Sequence, residues 1–421
     1  MPGPAMAARP VPAALQRDPA RGPPYTGMMA DSPSNSPSSL PPGSAGATAL
    51  VLSGGGARAA YQAGVLRAIA ELLPDARRNP FPIICGTSAG AINAAGLACG
   101  AENFRGAVQR LVGVWEAMEV NRVYRGDALG VGIAGARWLS ALAFGWLLRR
   151  NPRSLLDNGP LRELLAGELD FHGIDRAVGS GALQALCITA SGYNSGQSVS
   201  FYQGLAHIDP WERAQRVGAR ARLTVEHLMA SCAIPFIFPA VKLNREWFGD
   251  GSMRQLAPIA PAIHLGAERI LVVAAGRLGQ ERQARGGGEG YPSLAQVAGH
   301  ALSSIFLDGL AVDIERLTRI NRTLSVIPPE VRQASGLALR PIQTLVLSPS
   351  ERLDHLAARH ARSLPWPVKT LLSGIGALRR NGGALTSYLL FQADYTQALM
   401  DLGYRDTLAR GDEVRAFLDL G

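Results

Sequence analysis

From Thr48 onward the chain alternates short apolar runs with amphipathic stretches of helical period. The first run, Ala49-Leu50-Val51-Leu52, is apolar throughout and stops at Ser53 before three glycines, as a strand of a buried parallel sheet does. The next stretch repeats apolar residues at helical spacing and stops at Pro74-Asp75, so we predict a helix there. Its apolar positions are Val65, Leu66, Ile69, Leu72 and Leu73.

The same alternation continues along the chain. Pro82-Ile83-Ile84-Cys85 predicts a second strand, and the small residues from Ala89 to Cys99 predict a helix that packs closely on a sheet. Further strands are predicted at Leu183–Ala190, Val199–Tyr202, Arg269–Ala274 and Ile342–Leu347. Alternating strands and helices predict an α/β fold, with a mostly parallel central sheet covered by helices on both faces.

Composition divides the chain into three segments. Residues 1–45 are rich in Pro, Ser, Gly and Ala and have no apolar period, which predicts disorder. They lack the continuous apolar run of a secretory signal, and Met28 and Met29 are alternative starts. Residues 46–349 are predicted to form the α/β domain, and residues 350–421 a helical C-terminal extension with a break at Asn381-Gly382-Gly383.

Charge and cysteine usage narrow the class of protein. The chain has 421 residues, a hydrophobic content of 47% and a formal net charge of +9, so it can bury a sizeable core. The excess arginines are scattered, which favours contact with anionic lipid head groups and gives no argument for nucleic acid. The four cysteines occur singly in apolar stretches and predict reduced thiols in a cytoplasmic protein. They are Cys85, Cys99, Cys187 and Cys232.

The strongest chemical motif is Gly86-Thr87-Ser88-Ala89-Gly90, which follows a predicted strand and opens a predicted helix. That context is typical of a nucleophile elbow, in which a sharp turn lifts a serine hydroxyl above the sheet. Gly86 and Gly90 permit the strained turn, and the helix N-terminus stabilises developing negative charge. The alternative is a tight turn whose serine only caps the helix.

The glycine run after the first strand has two interpretations. Gly54-x-Gly56-x-x-Ala59 fits a dinucleotide-binding fingerprint, but that fingerprint requires an acidic residue after the second strand, where this chain has Ser88. As an oxyanion loop, the run presents backbone N–H groups to a tetrahedral intermediate, while Arg58 orders the loop or adds positive charge. The predicted oxyanion-hole residues are Gly54, Gly55, Gly56, Ala57 and Arg58.

These motifs, taken in order, resemble those of patatin-like phospholipases. The family pattern of a Gly-Gly-Gly-x-Arg/Lys-Gly loop, a G-x-S-x-G elbow and a downstream Asp-Gly-Gly/Ala appears as residues 54–59, 86–90 and Asp250-Gly251-Ser252. The stretch Ala230–Pro235 with Phe238-Pro239 is similar to the segment that precedes the family's aspartate. The resemblance covers about residues 48–275. The chain departs from the pattern at two positions, where Ala59 replaces the last glycine of the loop and Ser252 replaces a glycine or alanine.

The resemblance implies a serine acyl hydrolase with a Ser88–Asp250 dyad that cleaves carboxylic esters of lipids without a cofactor. On residue pattern alone, Gly249-Asp250-Gly251 is equally typical of a simple turn. An α/β-hydrolase would instead complete a triad with a later histidine, for which His264 and His300 are candidates. A noncatalytic dinucleotide- or lipid-binding protein is the remaining alternative. No group of His, Cys, Asp or Glu has metal-ligand spacing, so no metal site is predicted.

Residues 131–148 form a long apolar segment for which three placements are considered. They include Trp138 and Trp146, and Arg137 is the one charged residue before Arg149-Arg150. The length is marginal for a membrane span, and an arginine near the middle is unfavourable there. Tryptophans beside basic residues favour peripheral contact with an anionic membrane. The alternatives are therefore a buried core helix, an interfacial helix or lid near the site, and a membrane span.

Overall fold

The computed structural model describes residues 46–127, 132, 154–278, 291–335, 339–378 and 383–420. The predicted disorder of residues 1–45, the apolar segment 131–150 and most of the break at 381–383 lie outside the described residues. The strands are β1 (Ala47–Leu52), β2 (Ile83–Thr87), β3 (Ala185–Gly192), β4 (Ser198–Gly204), β5 (Trp211–Arg213), β6 (Arg216–Arg220), β7 (Val241–Leu243), β8 (Glu246–Asp250), β9 (Ala267–Val273) and β10 (Gln343–Leu347).

Helices connect most of these strands and form the C-terminal region. In chain order they are α1 (Ala60–Leu72), α2 (Ala89–Cys99), α3 (Phe104–Glu116), α4 (Val120–Val123), α5 (Gly159–Glu168), α6 (His172–Gly179), α7 (Val225–Ser231), α8 (Ala260–His264), α9 (Leu294–Ser303), α10 (Gly309–Ser325), α11 (Pro329–Ala334), α12 (Leu353–His360), α13 (Trp366–Gly374), α14 (Gly383–Leu389), α15 (Ala393–Ala409) and α16 (Gly411–Phe417). A π-helical turn, Ser304–Asp308, joins α9 to α10.

The fold is of the α/β class, as predicted, but the strands of its sheet pair in both parallel and antiparallel directions. Its main path runs β10-β9-β1-β2-β3-β4-β6-β5, and all neighbours from β10 to β3 are parallel. Beyond β3 the sheet changes character, because β3 pairs antiparallel with both β4 and β8, and the short hairpins β5–β6 and β7–β8 are antiparallel. Because β4 and β6 pair in parallel again, the two directions alternate beyond β3, and the expected mostly parallel sheet is instead a mixed one.

The core lies on both faces of the parallel part. Successive strand residues point to opposite faces, so Cys85 joins a buried cluster that includes Ile259 and Leu310, whereas Gly86 faces the backbone of α2. The predicted strands β1, β2, β3, β4, β9 and β10 and the predicted helices α1 and α2 are all present. The short strands β5 to β8 are additional to the prediction.

This arrangement brings three chain segments to one edge of the sheet. β1 and β2 are parallel neighbours in which Leu52 pairs with Gly86, so the loops after both strands leave the sheet side by side. β8 runs antiparallel to β3 and pairs Asp250 with Ala190. The carboxyl ends of β1, β2 and β8 therefore converge, which is where ligand sites of α/β sheets form.

Candidate active site

Ser88 occupies a strained turn between β2 and α2. Its φ of 55° and ψ of −132° lie outside the favoured regions for a residue with a side chain. Its backbone N–H donates to Ser231 Oγ at 2.8 Å, and that hydroxyl donates to the Thr189 carbonyl at 2.6 Å. The surrounding structure thus holds the turn in the elbow geometry that the sequence motif predicted.

The Ser88 hydroxyl donates a hydrogen bond of 2.6 Å to Asp250 Oδ2. The other carboxylate oxygen, Oδ1, accepts from the Ser252 backbone N–H at 2.9 Å, and the Asp250 N–H donates to the Ala233 carbonyl at 2.9 Å. Both side chains are almost fully enclosed, with exposed fractions of 2% for Ser88 and 1% for Asp250. A serine and a carboxylate that sequence separates by 162 residues therefore meet in one buried pair.

Burial changes the acid–base behaviour of this carboxylate. Loss of hydration raises the pKa of Asp250 to about 6, while the hydrogen bonds from Ser88 and Ser252 oppose the shift. Burial disfavours the charged form of a carboxyl group, and hydrogen bonds to the carboxylate favour it. A carboxylate whose pKa lies close to neutrality is a stronger base than an exposed aspartate and still ionises at pH 7.

The three motif glycines outside the loop lie at close backbone approaches. A Cβ atom at Gly86 would collide with the Gly90 carbonyl, one at Gly90 with the Leu52 carbonyl, and one at Gly251 with the Thr189 carbonyl. Side chains at these positions would therefore push the elbow away from the glycine loop or from the strand that carries Asp250.

The glycine loop follows β1 and begins close to the first turn of α2, where a Cβ atom at Gly90 would collide with the Leu52 and Ser53 carbonyls. Within the part of the chain that the structure describes, no acceptor takes the amide protons of Gly54 and Gly55. Gly56 has a φ of 54°, a left-handed conformation that favours glycine, and residues 56–59 then form a single 3-10 turn that leads into α1. The loop therefore has unpaired N–H donors, as an anion-binding loop requires, and its Gly56 lines the same cavity as Ser88.

Arg58 turns away from Ser88. Its guanidinium donates to Ser387 Oγ at 2.8 Å and to the Tyr388 hydroxyl at 2.9 Å, and its exposed fraction is 6%. Of the two roles that the sequence left open for this residue, the contacts favour ordering of the loop. Sequence reasoning missed Ser387 and Tyr388, because they follow Arg58 by about 330 residues and belong to no local motif.

A cavity of about 360 Å³ opens beside Ser88. It follows one face of α2, where Ala89, Ile92, Gly96 and Cys99 line it in succession. Charged side chains occur among its lining residues too, including Arg110 on α3. Its apolar walls come from α3, α5 and neighbouring segments and include Leu111, Val114, Trp115, Leu161, Leu165 and Phe391. The serine thus stands in the wall of a long apolar space.

Histidine takes no part in the Ser88–Asp250 pair. All seven histidines fall within the described residues, and none of them bonds to either side chain. His264 stacks on Trp211 with ring centroids 4.9 Å apart, and burial lowers its pKa to about 4. His300 is exposed on α9. In this structure neither histidine completes a triad.

No part of the described chain groups three or more His, Cys, Asp or Glu side chains in a way that could hold a metal ion. The four cysteines are free thiols, three of them buried and Cys99 half-buried. The residue at the end of β2, where a dinucleotide fold places an acid for the ribose, is Ser88 with its hydroxyl directed at Asp250. The site geometry thus favours ester chemistry over dinucleotide binding.

The sequence of this region is similar to those of known proteins. The sequence profile of the patatin-like phospholipase family matches residues 50–263. A cGAMP-activated phospholipase of Pseudomonas aeruginosa strain BWHPSA011 is 29% identical over 216 residues, which are 51% of this chain and 55% of the relative. The chain thus spans about half the length of that curated relative.

Two solved structures show a distant similarity to this chain. VipD from Legionella pneumophila has a TM-score of 0.31 and 12% identity, with coverage of 85% of this chain and 67% of that chain. ExoU of Pseudomonas aeruginosa, solved in complex with SpcU, gave a match with a TM-score of 0.26 and 15% identity, covering 86% of this chain and 77% of that chain.

Proposed function

The chain belongs to the patatin-like phospholipase family, and from this we propose that it is a lipolytic serine hydrolase of the phospholipase A or lysophospholipase type. The observation that carries the proposal is the hydrogen bond between Ser88 Oγ and Asp250 Oδ2 in the wall of an apolar cavity. A nucleophile with a base in hydrogen-bonding distance is the arrangement that covalent catalysis needs.

In the proposed reaction, Asp250 takes the proton of the Ser88 hydroxyl as Oγ attacks the ester carbonyl. The tetrahedral intermediate collapses, the bond to the leaving alcohol breaks, and Asp250 returns the proton to that alcohol. Water then attacks the acyl-enzyme while Asp250 again accepts a proton. Collapse of the second intermediate releases the fatty acid and restores the Ser88 hydroxyl.

The glycine loop supplies the oxyanion hole in this mechanism. The N–H of Ser88 already donates to Ser231, so the donors for the oxyanion have to come from Gly54, Gly55 and their neighbours. The free amides of these two residues support that role. Removal of a single oxyanion donor commonly lowers kcat by about 10² to 10³, so the loop would carry a large part of the transition-state stabilisation.

The cavity supports a lipid as substrate. Its apolar wall suits a hydrocarbon chain, because burial of each methylene group contributes about 0.8 kcal/mol. The net charge of +9 favours peripheral contact with an anionic membrane, and the four free cysteines support a cytoplasmic enzyme. We place no nucleic acid and no cofactor in the proposed reaction.

The test compares matched variants on one ester and one probe. Ser88→Ala and Asp250→Asn should each lower hydrolysis of a p-nitrophenyl ester and of phospholipid vesicles by about 10³-fold or more, with folding intact. Ser200→Ala and Asp313→Asn are the controls, because they change another buried serine and another buried aspartate and should retain activity. A fluorophosphonate should label the wild type and both controls but not Ser88→Ala.

The same assay separates the alternatives. His264→Ala and His300→Ala should stay within about tenfold of wild type, since loss of a triad member costs several decades; a larger loss in a folded variant would support a triad. A wild-type protein that neither labels nor turns over ester would be a binding protein, and the hydrolase proposal would fall.

A further inference from the structure

The oxyanion loop is supported by chain segments beyond the family-profile match at residues 50–263. The guanidinium of Arg58 extends from the loop to α14, where its Nε donates to Ser387 Oγ and its Nη1 to the Tyr388 hydroxyl. Its central carbon lies 3.8 Å from the centroid of the Tyr388 ring, which adds a cation–π contact. One arginine thus links the loop to two consecutive residues of a distant helix.

Tyr388 is itself held from two sides. Its ring stacks on Phe306 of the π-helical turn, with centroids 5.2 Å apart, and its hydroxyl lies 3.3 Å from Ser303 Oγ. Phe306 also touches the loop directly, because a Cβ atom at Gly54 would collide with its ring, as one at Gly56 would with the Tyr388 carbonyl. The loop backbone therefore rests on Tyr388 and Phe306 at van der Waals distance.

The position of the Arg58 guanidinium depends on its contacts with Ser387 and Tyr388. A buried guanidinium is stable only when its donors are satisfied, and within the described chain no carboxylate forms an ion pair with Arg58. Its partners are neutral oxygens and an aromatic face, whose attraction depends strongly on direction and distance. The position of α14 therefore determines the position of Arg58, and with it the backbone at residues 54–57.

We propose that Ser387 and Tyr388 are positioning residues, which hold Arg58 so that the glycine loop keeps its N–H groups directed at the reacting carbonyl. This inference rests on the proposed hydrolase function for its catalytic consequence. It makes residues of the C-terminal helical region necessary for stabilisation of the oxyanion, although they touch neither the substrate nor the Ser88–Asp250 pair.

The test is a set of conservative variants with one matched control. Tyr388→Leu removes the ring and the hydroxyl, Tyr388→Phe removes the hydroxyl alone, and Ser387→Ala removes one acceptor. Tyr61→Phe is the control, because it deletes another buried tyrosine hydroxyl that bonds to the C-terminal region, at Asp406, without contact to Arg58. Tyr388→Leu should lower kcat by about 10²-fold, as loss of an oxyanion donor does, with KM within about threefold. The other two should fall between it and the unchanged control.

Two inhibitors distinguish positioning from a general structural defect. A trifluoromethyl ketone with an alkyl chain forms a tetrahedral adduct whose oxyanion needs the loop, and its affinity for Tyr388→Leu should fall in parallel with kcat. An ether analogue that fills the cavity without an oxyanion should bind all variants equally. Equal loss of both affinities, or folded variants with wild-type kcat, would overturn the proposal.

Amide hydrogen exchange tests the contact without turnover. The peptide that covers residues 50–62 should exchange at least about tenfold faster in Tyr388→Leu and in Ser387→Ala than in wild type. Should Tyr388→Leu fail to fold, Ser387→Ala decides the outcome alone, and unchanged exchange in that variant overturns the proposal. A wild type without esterase activity whose loop still shows this difference would contradict the hydrolase function and leave the support of the loop intact.

Discussion

Asp250 combines two conflicting requirements at the scale of a single residue. As the proposed base it has to be ionised, yet it is enclosed on all sides and its pKa is raised to about 6 by burial. Hydrogen bonds from Ser88 and Ser252 partly compensate for the lost hydration. The residue therefore ionises within the range of ordinary assays, and both its activity and its effect on stability should depend on pH.

We expect kcat/KM for a neutral ester to rise from pH 5 to pH 7 with an apparent pKa of about 6, because only ionised Asp250 accepts the Ser88 proton. A neutral ester has no ionisable group that would add its own titration to the pH profile. Ser200→Ala should reproduce the wild-type curve. An inflection near pH 4, the ordinary value for aspartate, would contradict the assignment of the base.

Stability should show the opposite trend. The folded-state pKa of about 6 lies above the unfolded value of about 4, so protonated Asp250 favours the folded state below pH 4. That contribution is lost as pH rises through 6 and amounts to roughly 3 kcal/mol at about 1.36 kcal/mol per pKa unit. Asp250→Asn should therefore melt at a higher temperature than wild type at pH 8 and at a similar one at pH 4.

The matched variant for that experiment is Ser200→Ala, whose melting temperature should differ from wild type by the same amount at both pH values. An Asp250→Asn protein that is less stable than wild type at pH 8 would show that the hydrogen bonds to the carboxylate outweigh its lost hydration.

Sequence reasoning at this scale succeeded where the chemistry has a local motif. The elbow, the glycine run and the Gly-Asp-Gly turn each occupy a few consecutive residues. Their resemblance to a family pattern led to the prediction of a Ser88–Asp250 pair, and the two side chains are hydrogen-bonded in the structure. Ser231, which fixes the Ser88 amide, and Tyr388, which fixes Arg58, have no such motif. Their roles depend on contacts across more than a hundred residues of chain.

At the scale of elements, α2 combines the elbow with one wall of the cavity. Its N-terminus carries Ser88, and the lining residues Ala89, Ile92, Gly96 and Cys99 follow at three- and four-residue steps on one face. Gly96 lies eight residues beyond the serine, about 12 Å along the helix axis. A Cβ atom at Gly96 would have only Leu111 and Leu169 nearby, at 3.7 and 4.0 Å, so the helix is open there.

A larger side chain at that point should shorten the cavity. We expect Gly96→Leu to lower kcat/KM for a palmitoyl ester by at least about tenfold relative to a butyryl ester, since two unburied methylene groups already correspond to about 1.6 kcal/mol. Gly113→Leu is the control, because that glycine lies exposed on α3 with open space around it. Equal effects on both esters would show that the acyl chain lies elsewhere.

The elements that the sequence predicted are those with a continuous apolar run. β1, β2 and β9 are buried along most of their length, and their composition reflects it. β8 (Glu246–Asp250) has no such run, and β5 and β7 are three residues long. These short strands add antiparallel pairs to the one between β3 and β4. Tertiary pairing, with β3 in the case of β8, stabilises them where local propensity does not.

At the scale of the whole molecule, the segment before residue 46 is predicted from composition to contribute nothing to the core. A protein that begins at residue 46 should therefore match the full chain in melting temperature and in specific activity on a soluble ester. Loss of activity or of soluble protein in the truncated form would show that the segment has a structural role. A protein that begins at residue 54 lacks β1 and should not fold.

On the ribosome, β1 and β2 emerge long before the strands that complete their sheet. β9, which covers the free edge of β1, ends at Val273, and β10 follows only at Gln343–Leu347. At about 5–20 residues per second, β1 waits on the order of ten seconds or more with one edge unpaired. An exposed strand edge invites pairing with other chains. The yield of soluble protein should therefore increase with chaperone supply and at a lower growth temperature, even though the folded chain encloses β1 between two parallel neighbours.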